Sequence, residues 1–211
     1  MSGSFDQAMM RRAIDLARVR LGKTRPNPSV GCVLVKDGQV LAEAATGLGG
    51  RPHAEEQALD LATADVRGAT AYVTLEPCGC RSTGAKSCSE RLIEAGVTRV
   101  VMACDNPDRL SAGHGVERLM RAGVEVSAGL LADEAGKTLY RGFLHRLDTG
   151  LPLVEEAESG EGFDAEFLPG PSEGLNDALK RYGDDGYARL WTPRGGVLAR
   201  RLDRRQADLS E

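Results

Sequence analysis

The sequence predicts an α/β protein in which helices cover both faces of a central sheet. Three observations support this class. The 211 residues are 41% apolar and 27% charged, the composition of a soluble globular protein. An Asp37-Gly38 hairpin signal joins two apolar runs near the N-terminus. From residue 69 onward, short strands and helices alternate, which is typical of parallel strands joined by right-handed crossovers.

The N-terminal elements are a helix and a hairpin. From Phe5 to Leu21 apolar residues recur at helical spacing, and Gly22 ends the run. The β-rich run from Val30 to Val35 then turns through residues 36–39 into a second strand from Val40 to Ala44. We therefore expect a helix followed by a pair of adjacent strands.

A second helix and the alternating region follow the hairpin. The segment from His53 to Ala62 consists almost wholly of good helix formers. After it, the pattern predicts strands at 69–75, 99–104 and 124–130 and helices at 88–95, 116–122 and 132–147. Because strands and helices alternate here, we expect helices to pack on both faces of the sheet.

Beyond Leu151 the character of the chain changes. The stretch from Glu155 to Gly162 is acidic and contains glycine, which predicts a linker. We therefore divide the chain into a domain of residues 1–152 and a linker with C-terminal appendage, residues 153–211. Within the appendage we expect a strand near 165–168, a helix near 173–181 and strands near 188–191 and 197–201. So short a segment is either packed on the domain or partly disordered.

Charge and hydropathy exclude several classes of partner. The 27 Lys and Arg against 31 Asp and Glu give a formal charge of −4, so no global basic field attracts nucleic acid. No stretch approaches the ~20 apolar residues of a membrane span, and the N-terminus lacks the apolar core of a signal peptide. We expect a cytoplasmic protein that binds neither nucleic acid nor membrane.

One histidine and two of the five cysteines suggest a metal site. The cysteines form an odd, scattered set, so metal ligation or burial explains them better than disulfides. His53, Cys78 and Cys88 offer an imidazole and two thiolates, which suit zinc. Three protein ligands leave the fourth tetrahedral position for water. We therefore expect one Zn²⁺ per chain in a catalytic arrangement.

Glu55 and Cys88 add the chemistry expected around such an ion. A histidine, a glutamate two residues later and a Pro-Cys pair with a second cysteine are the known signature of zinc nucleobase deaminases. Zinc lowers the pKa of its water from about 15.7 to about 7. We expect Glu55 to take the water proton and pass it to a ring nitrogen and then to the leaving amine. Ser87 and Glu90 form a capping-box pattern, so Cys88 begins a helix whose positive end would lower its pKa.

Longer stretches are similar to one family. The runs from Thr24 to Val35, from Gly49 to Glu55 and from Tyr72 to Cys78 resemble the pyrimidine deaminase domain of riboflavin biosynthesis. The similarity covers roughly residues 5–152. It implies the cytidine-deaminase-like fold, a three-layer α/β/α arrangement with a mixed sheet of about five strands.

The resemblance also implies a substrate and partners. The substrate would be diaminohydroxyphosphoribosylaminopyrimidine, a small phosphorylated molecule, and Asn27 stands at the position of the family's substrate-contacting asparagine. Bifunctional members carry a reductase domain after this one, and residues 153–211 are too few for it. We therefore expect a homodimer and a reductase on a separate polypeptide.

Three basic residues near the motif are candidates for a phosphate contact. Arg51, Arg81 and Lys86 would bind phosphate through charge-assisted hydrogen bonds. Arg81 and Lys86 lie among the nine residues between Cys78 and Cys88, where the family usually has eight with a loop histidine and two prolines that are missing here.

Two other functions remain open at this point. One is a related deaminase acting on a free base or nucleoside such as cytosine, guanine or a pterin-like ring, although such relatives usually have two residues between their cysteines. The other is a catalytically silent, zinc-stabilised accessory protein, in which Cys80 would close the fourth zinc position. The sequence leaves open the true substrate, the oligomeric state and the role of residues 153–211.

Overall fold

A computed structural model describes residues 3–81, 84–107 and 112–208. Its main sheet has five strands in the order β2-β1-β3-β4-β5. Strand β1 pairs antiparallel with β2 and β3, whereas β3, β4 and β5 run parallel. The sheet is therefore mixed and five-stranded, as expected. Its strands are β1 (Gly31–Lys36), β2 (Gln39–Ala45), β3 (Thr70–Leu75), β4 (Arg99–Cys104) and β5 (Glu125–Ser127).

Helices cover both faces of this sheet. They are α1 (Gly3–Arg18), α2 (Ala54–Leu61), α3 (Cys88–Glu94), α4 (His114–Arg121), and a stretch formed by α5 (Ala132–Ala135), a π-helical turn (Gly136–Tyr140) and α6 (Arg141–Thr149). The Tyr72 hydroxyl of β3 donates to Asp6 of α1. The next residue, Val73, points to the opposite face with its register partner Cys32, which lies beside Glu55 of α2.

The C-terminal residues form a second, smaller sheet. Its three strands run parallel in the order β6-β8-β7. They are β6 (Leu153–Ala157), β7 (Ala165–Glu166) and β8 (Arg189–Pro193), accompanied by α7 (Leu175–Asp184) and α8 (Val197–Asp208). Phe167, Leu179 and Leu190 are buried in a cluster of their own, separate from the core around the main sheet. Of the described helices, none combines the length and the apolar character that a membrane crossing requires.

The structure corrects several predicted elements. Residues 197–201, predicted as a strand, begin helix α8, because the four residues that follow Val197 (leucine, alanine and two arginines) are good helix formers. The predicted linker begins inside β6, where Glu155 accepts hydrogen bonds from Arg141 at 2.8 Å and Arg189 at 2.5 Å. These partners neutralise an acidic residue that the sequence pattern suggests is solvated. Strand β5 is shorter than predicted, and the π-helical turn interrupts the helix predicted at 132–147.

Asp6 ties α1 to two strands of the main sheet. Its buried carboxylate accepts the Tyr72 hydroxyl at 2.5 Å and Nη2 of Arg99 at 2.9 Å. The hydrogen bond from Arg99 holds the pKa of Asp6 below its usual value of 3.8. Because the folded-state pKa is depressed, this stabilisation is complete above about pH 4 and is lost as the pH falls through the folded-state pKa.

We predict that Asp6→Asn lowers the free energy of unfolding by about 1.5–3 kcal/mol at pH 7, the range for charge-assisted hydrogen bonds. The difference from wild type should shrink below pH 4, and urea unfolding at both pH values measures it. Asp15→Asn is the control, since Asp15 lies on the same helix in an exposed pair with Arg18. A loss that is the same at both pH values would contradict the assigned role of the charge.

Candidate metal centre and active site

His53, Cys78 and Cys88 converge from three segments of the chain. His53 immediately precedes α2, Cys78 follows β3, and Cys88 begins α3. Nδ1 of His53 lies 3.3 Å from Sγ of Cys88 and 3.8 Å from Sγ of Cys78. All three potential ligand atoms lie within 4.8 Å of one another. A single ion can therefore contact all three.

The donor set fits zinc. One imidazole and two thiolates are a common zinc ligand set, and three protein ligands are typical of catalytic sites. Among the described residues, no other histidine, cysteine or carboxylate joins these three as a fourth member of the group. Cys80, the candidate for closing the fourth position, is exposed and lies outside it.

The contact between Cys78 and Cys88 shifts the pKa values of the two thiols in opposite directions. The Cys88 thiol and its backbone N–H, the latter at 3.3 Å, both hydrogen-bond to Sγ of Cys78 and lower the pKa of Cys78 to about 4. The same contact with Cys78, together with burial, raises the pKa of Cys88. The N–H at the start of α3 donates to Sγ of Cys78, so the lowering of the pKa that the helix N-terminus predicts acts here on Cys78.

Glu55 is a buried carboxyl group that lines the cavity beside His53 and Cys78. Only 3% of its surface is exposed. Burial raises its pKa to about 7, and the nearby Cys78 sulfur adds to this effect. A carboxyl group with such a pKa exchanges protons readily near neutral pH.

A cavity of about 490 Å³ lies next to these residues, a size suited to a small molecule. Asn27 lines it and donates Nδ2 to the carbonyl of Gly50 at 2.8 Å. Arg51 also lines it, is exposed, and forms no ion pair within the described part of the chain. The lining residues are Asn27, Pro28, Val30, Thr46, Arg51, His53, Glu55, Leu75, Glu76, Cys78, Cys80, Arg81, Asn106 and Phe143.

The structure places the other two basic candidates differently. Lys86 does not line this cavity, because its ammonium group pairs with Glu94 at 2.7 Å beside a separate hollow. Arg81 lines the cavity, but its side chain is only 5% exposed and donates to Glu56 at 2.9 Å and to Sγ of Cys88 at 3.6 Å. The expected phosphate contact is thus unsupported for Lys86, and Arg81 already serves the thiol and Glu56.

Sequence reasoning missed Phe143 and Glu76. Phe143 reaches the cavity from α6, and no motif marks it. Glu76 is buried and accepts backbone N–H groups from both sides of the segment after β4, including Asn106 and Gly113 at 3.1 Å each and Gly115 at 3.1 Å. Its position directly before Pro-Cys was visible, but the partners lie 30 or more residues away.

The comparisons with known proteins agree with this geometry. Residues 3–104 match the cytidine and deoxycytidylate deaminase zinc-binding region. Riboflavin biosynthesis protein RibD of Escherichia coli is 46% identical over 150 residues, which are 71% of this chain and 40% of that protein. The Haemophilus influenzae RibD is 46% identical over 152 residues, 72% of this chain and 40% of the relative. This chain thus spans less than half the length of these relatives.

Solved structures show the same likeness. One form of Acinetobacter baumannii RibD superposes with a TM-score of 0.68 at 46% identity, over 73% of this chain and 43% of that one. A Thermotoga maritima diaminohydroxyphosphoribosylaminopyrimidine deaminase/5-amino-6-(5-phosphoribosylamino)uracil reductase superposes with a TM-score of 0.69 at 35% identity, over 84% and 49%. The mixed five-stranded sheet is the cytidine-deaminase-like fold that the sequence implied. Residues 3–104, just under half of the chain, therefore resemble the cytidine and deoxycytidylate deaminase zinc-binding region, and the similarity to RibD extends over about 150 residues.

Proposed function

We propose that this chain is a zinc-dependent hydrolytic deaminase of a small aminopyrimidine. The observation that carries the proposal is the group formed by His53, Cys78 and Cys88, whose ligand atoms lie within 4.8 Å beside the buried Glu55. The overall reaction replaces a ring amino group by a carbonyl oxygen, consuming one water and releasing one ammonia.

His53, Cys78 and Cys88 would hold the zinc ion. When bound, zinc supplies an activated water by lowering its pKa toward 7. The backbone N–H of Cys88 favours the thiolate of Cys78, which zinc ligation requires. Arg81 places a buried positive charge beside Cys88, which offsets the charge of two thiolates.

Glu55 would move the protons. Its carboxylate accepts a proton at one oxygen and releases it to a substrate ring nitrogen, then carries a second proton to the departing amine. Burial excludes bulk water from this group, which keeps the proton on the path between water and substrate. General acid–base catalysis of this kind contributes about 10²- to 10⁴-fold.

For the substrate, we propose diaminohydroxyphosphoribosylaminopyrimidine. The Thermotoga protein is named a deaminase of this compound, and the Escherichia coli relative is named for riboflavin biosynthesis. Phe143, Val30 and Leu75 give the cavity apolar walls for a ring, and Asn27 offers an amide. Arg51 offers a cation for the phosphate in place of Lys86.

The proposal includes partners. The Thermotoga relative is named both a deaminase and a reductase, and this chain matches 49% of it. We propose that the reductase reaction of the pathway belongs to another polypeptide and that this chain acts as a homodimer. We place the deaminase and this reductase in the cytoplasm.

We predict one zinc per chain in the purified protein. Cys88→Ser and His53→Ala should each lose most of the metal, because each removes one of only three protein ligands. Cys80→Ser is the matched control, since this exposed cysteine lies outside the group, and it should keep the metal. Elemental analysis measures all four proteins. Zinc loss in Cys80→Ser, or a metal-free wild type, would refute the ligand assignment.

Glu55→Gln should keep the zinc and the fold while ammonia release falls by at least about 100-fold, since it removes the base and no ligand. Zinc content and thermal unfolding, measured on the same sample, separate this loss from misfolding. Turnover near the wild-type level in a zinc-loaded Glu55→Gln protein would rule out the proton-shuttle role.

Arg51→Ala should lower kcat/KM for the phosphorylated substrate by about 10- to 100-fold, the value of one charge-assisted contact. The dephosphorylated analogue should be little affected. Lys86→Ala is the matched control, because Lys86 pairs with Glu94 outside the cavity. If both substrates lose equally, Arg51 shapes the cavity and does not bind phosphate.

A further inference from the structure

The C-terminal unit, defined here as residues 151–202, contacts one side of the loop that carries Asn27. This loop, residues 24–28, presents Asn27 and Pro28 to the cavity. Two of its other three residues, Arg25 and Pro26, face away from the cavity lining. They meet the turn between α7 and β8 instead.

Arg25 makes the main polar contact between loop and unit. Its guanidinium lies 4.0 Å from the centroid of the Tyr187 ring, and Nη1 donates to the carbonyl of Asp185 at 2.5 Å. Tyr187 in turn packs edge-on against Tyr182, with ring centroids 5.0 Å apart, and so joins the second apolar cluster. The loop is thereby connected to the core of the C-terminal unit.

Pro26 is enclosed from two directions. A Cβ at Gly186 would lie 2.8 Å from Cβ of Pro26, so a side chain there would collide with the loop. Gly186 also has a φ of +82°, which favours glycine. On the other side, Nη2 of Arg146 donates to the Pro26 carbonyl at 3.3 Å. Arg146 belongs to α6, the helix that carries Phe143 into the cavity.

The loop itself is a tight turn that two hydrogen bonds close. The Asn27 N–H donates to the carbonyl of Thr24 at 3.0 Å, and the Thr24 hydroxyl donates to the carbonyl of Asn27 at 2.9 Å. Arg25 and Pro26 therefore belong to the same closed turn as Asn27, whose side chain donates to the carbonyl of Gly50 at the cavity. A loop fixed before binding loses less conformational entropy when substrate binds.

We propose that the C-terminal unit braces the 24–28 loop, and that Arg25 and Tyr187 are positioning residues for substrate binding. This gives residues 151–202 a role in the deaminase site that does not require reductase chemistry. The effect on substrate affinity rests on the proposed function. The brace itself does not, because the mobility of the loop can be measured without substrate.

Hydrogen exchange of the full-length, zinc-loaded protein tests the brace directly. Tyr187→Leu keeps apolar volume but removes the aromatic face, and Arg25→Ala removes the cation. Each should speed exchange at the Asn27 amide by about 3- to 20-fold, the range expected for losing one cation–π contact. Arg181→Gln is the matched control, since Arg181 lies 4.5 Å over the Tyr182 ring of the same unit and does not touch the loop.

Steady-state kinetics with the aminopyrimidine that the wild-type protein deaminates supply the second readout. Both variants should raise KM by about 3- to 20-fold and leave kcat within 2-fold, and Arg25→Lys should recover part of the loss. The effect of the double variant should be less than the product of the two single effects, because both remove the contact between Arg25 and the Tyr187 ring. If Tyr187→Leu unfolds the C-terminal unit, Arg25→Ala still decides the matter.

Two results would overturn the brace. One is unchanged exchange at Asn27 in Arg25→Ala, and the other is an equal change in Arg181→Gln. If the wild type deaminates no aminopyrimidine, the proposed function fails, and the exchange experiment still decides whether the loop is braced.

Discussion

The candidate site depends on how the segment after β3 is fixed to the first turn of α3. The backbone N–H of Cys88 donates to Sγ of Cys78 at 3.3 Å, and the N–H of Ser89 donates to the carbonyl of Cys78 at 3.2 Å. The Ser89 hydroxyl donates to that same carbonyl at 3.1 Å. These bonds join the two cysteines directly, so the approach of their sulfurs is not set by the length of the loop between them. The length of that loop can therefore differ from the usual family length while the thiols still meet His53.

A second layer of charge supports this arrangement. Glu56, one residue after Glu55, accepts Arg81 at 2.9 Å and Arg91 at 3.0 Å. The same Arg81 donates to Sγ of Cys88, so the carboxylate places a buried cation beside the thiols. Burying a cation is costly unless it is paired, and the carboxylate of Glu56 compensates the charge of Arg81. Glu76, two residues before Cys78, also fixes a neighbouring segment, because it accepts hydrogen bonds from the backbone N–H groups at the start of α4.

Many helices, strands and caps of this fold could be predicted from local sequence. Other features of the fold and of the candidate site depend on residues that are distant in the sequence. Ser87 and Glu90 form the capping box that the sequence indicates, and β4 has the predicted bounds of 99–104. Such features are set by residues within one or two turns of each other. The roles of Arg81 and Phe143 depend on contacts with other segments that only the folded chain brings together. Strand β6 escaped prediction for the same reason, because Arg141 and Arg189 neutralise its Glu155.

We infer that His53, Cys78 and Cys88 form a zinc site with three protein ligands and one position for water. X-ray absorption spectroscopy of the zinc-loaded wild-type protein tests it most directly, because it counts sulfur and lighter ligands separately. We expect two sulfurs at about 2.3 Å and two nitrogen or oxygen atoms at about 2.0–2.1 Å. Three sulfurs would mean that Cys80 closes the site, and would contradict a catalytic zinc centre.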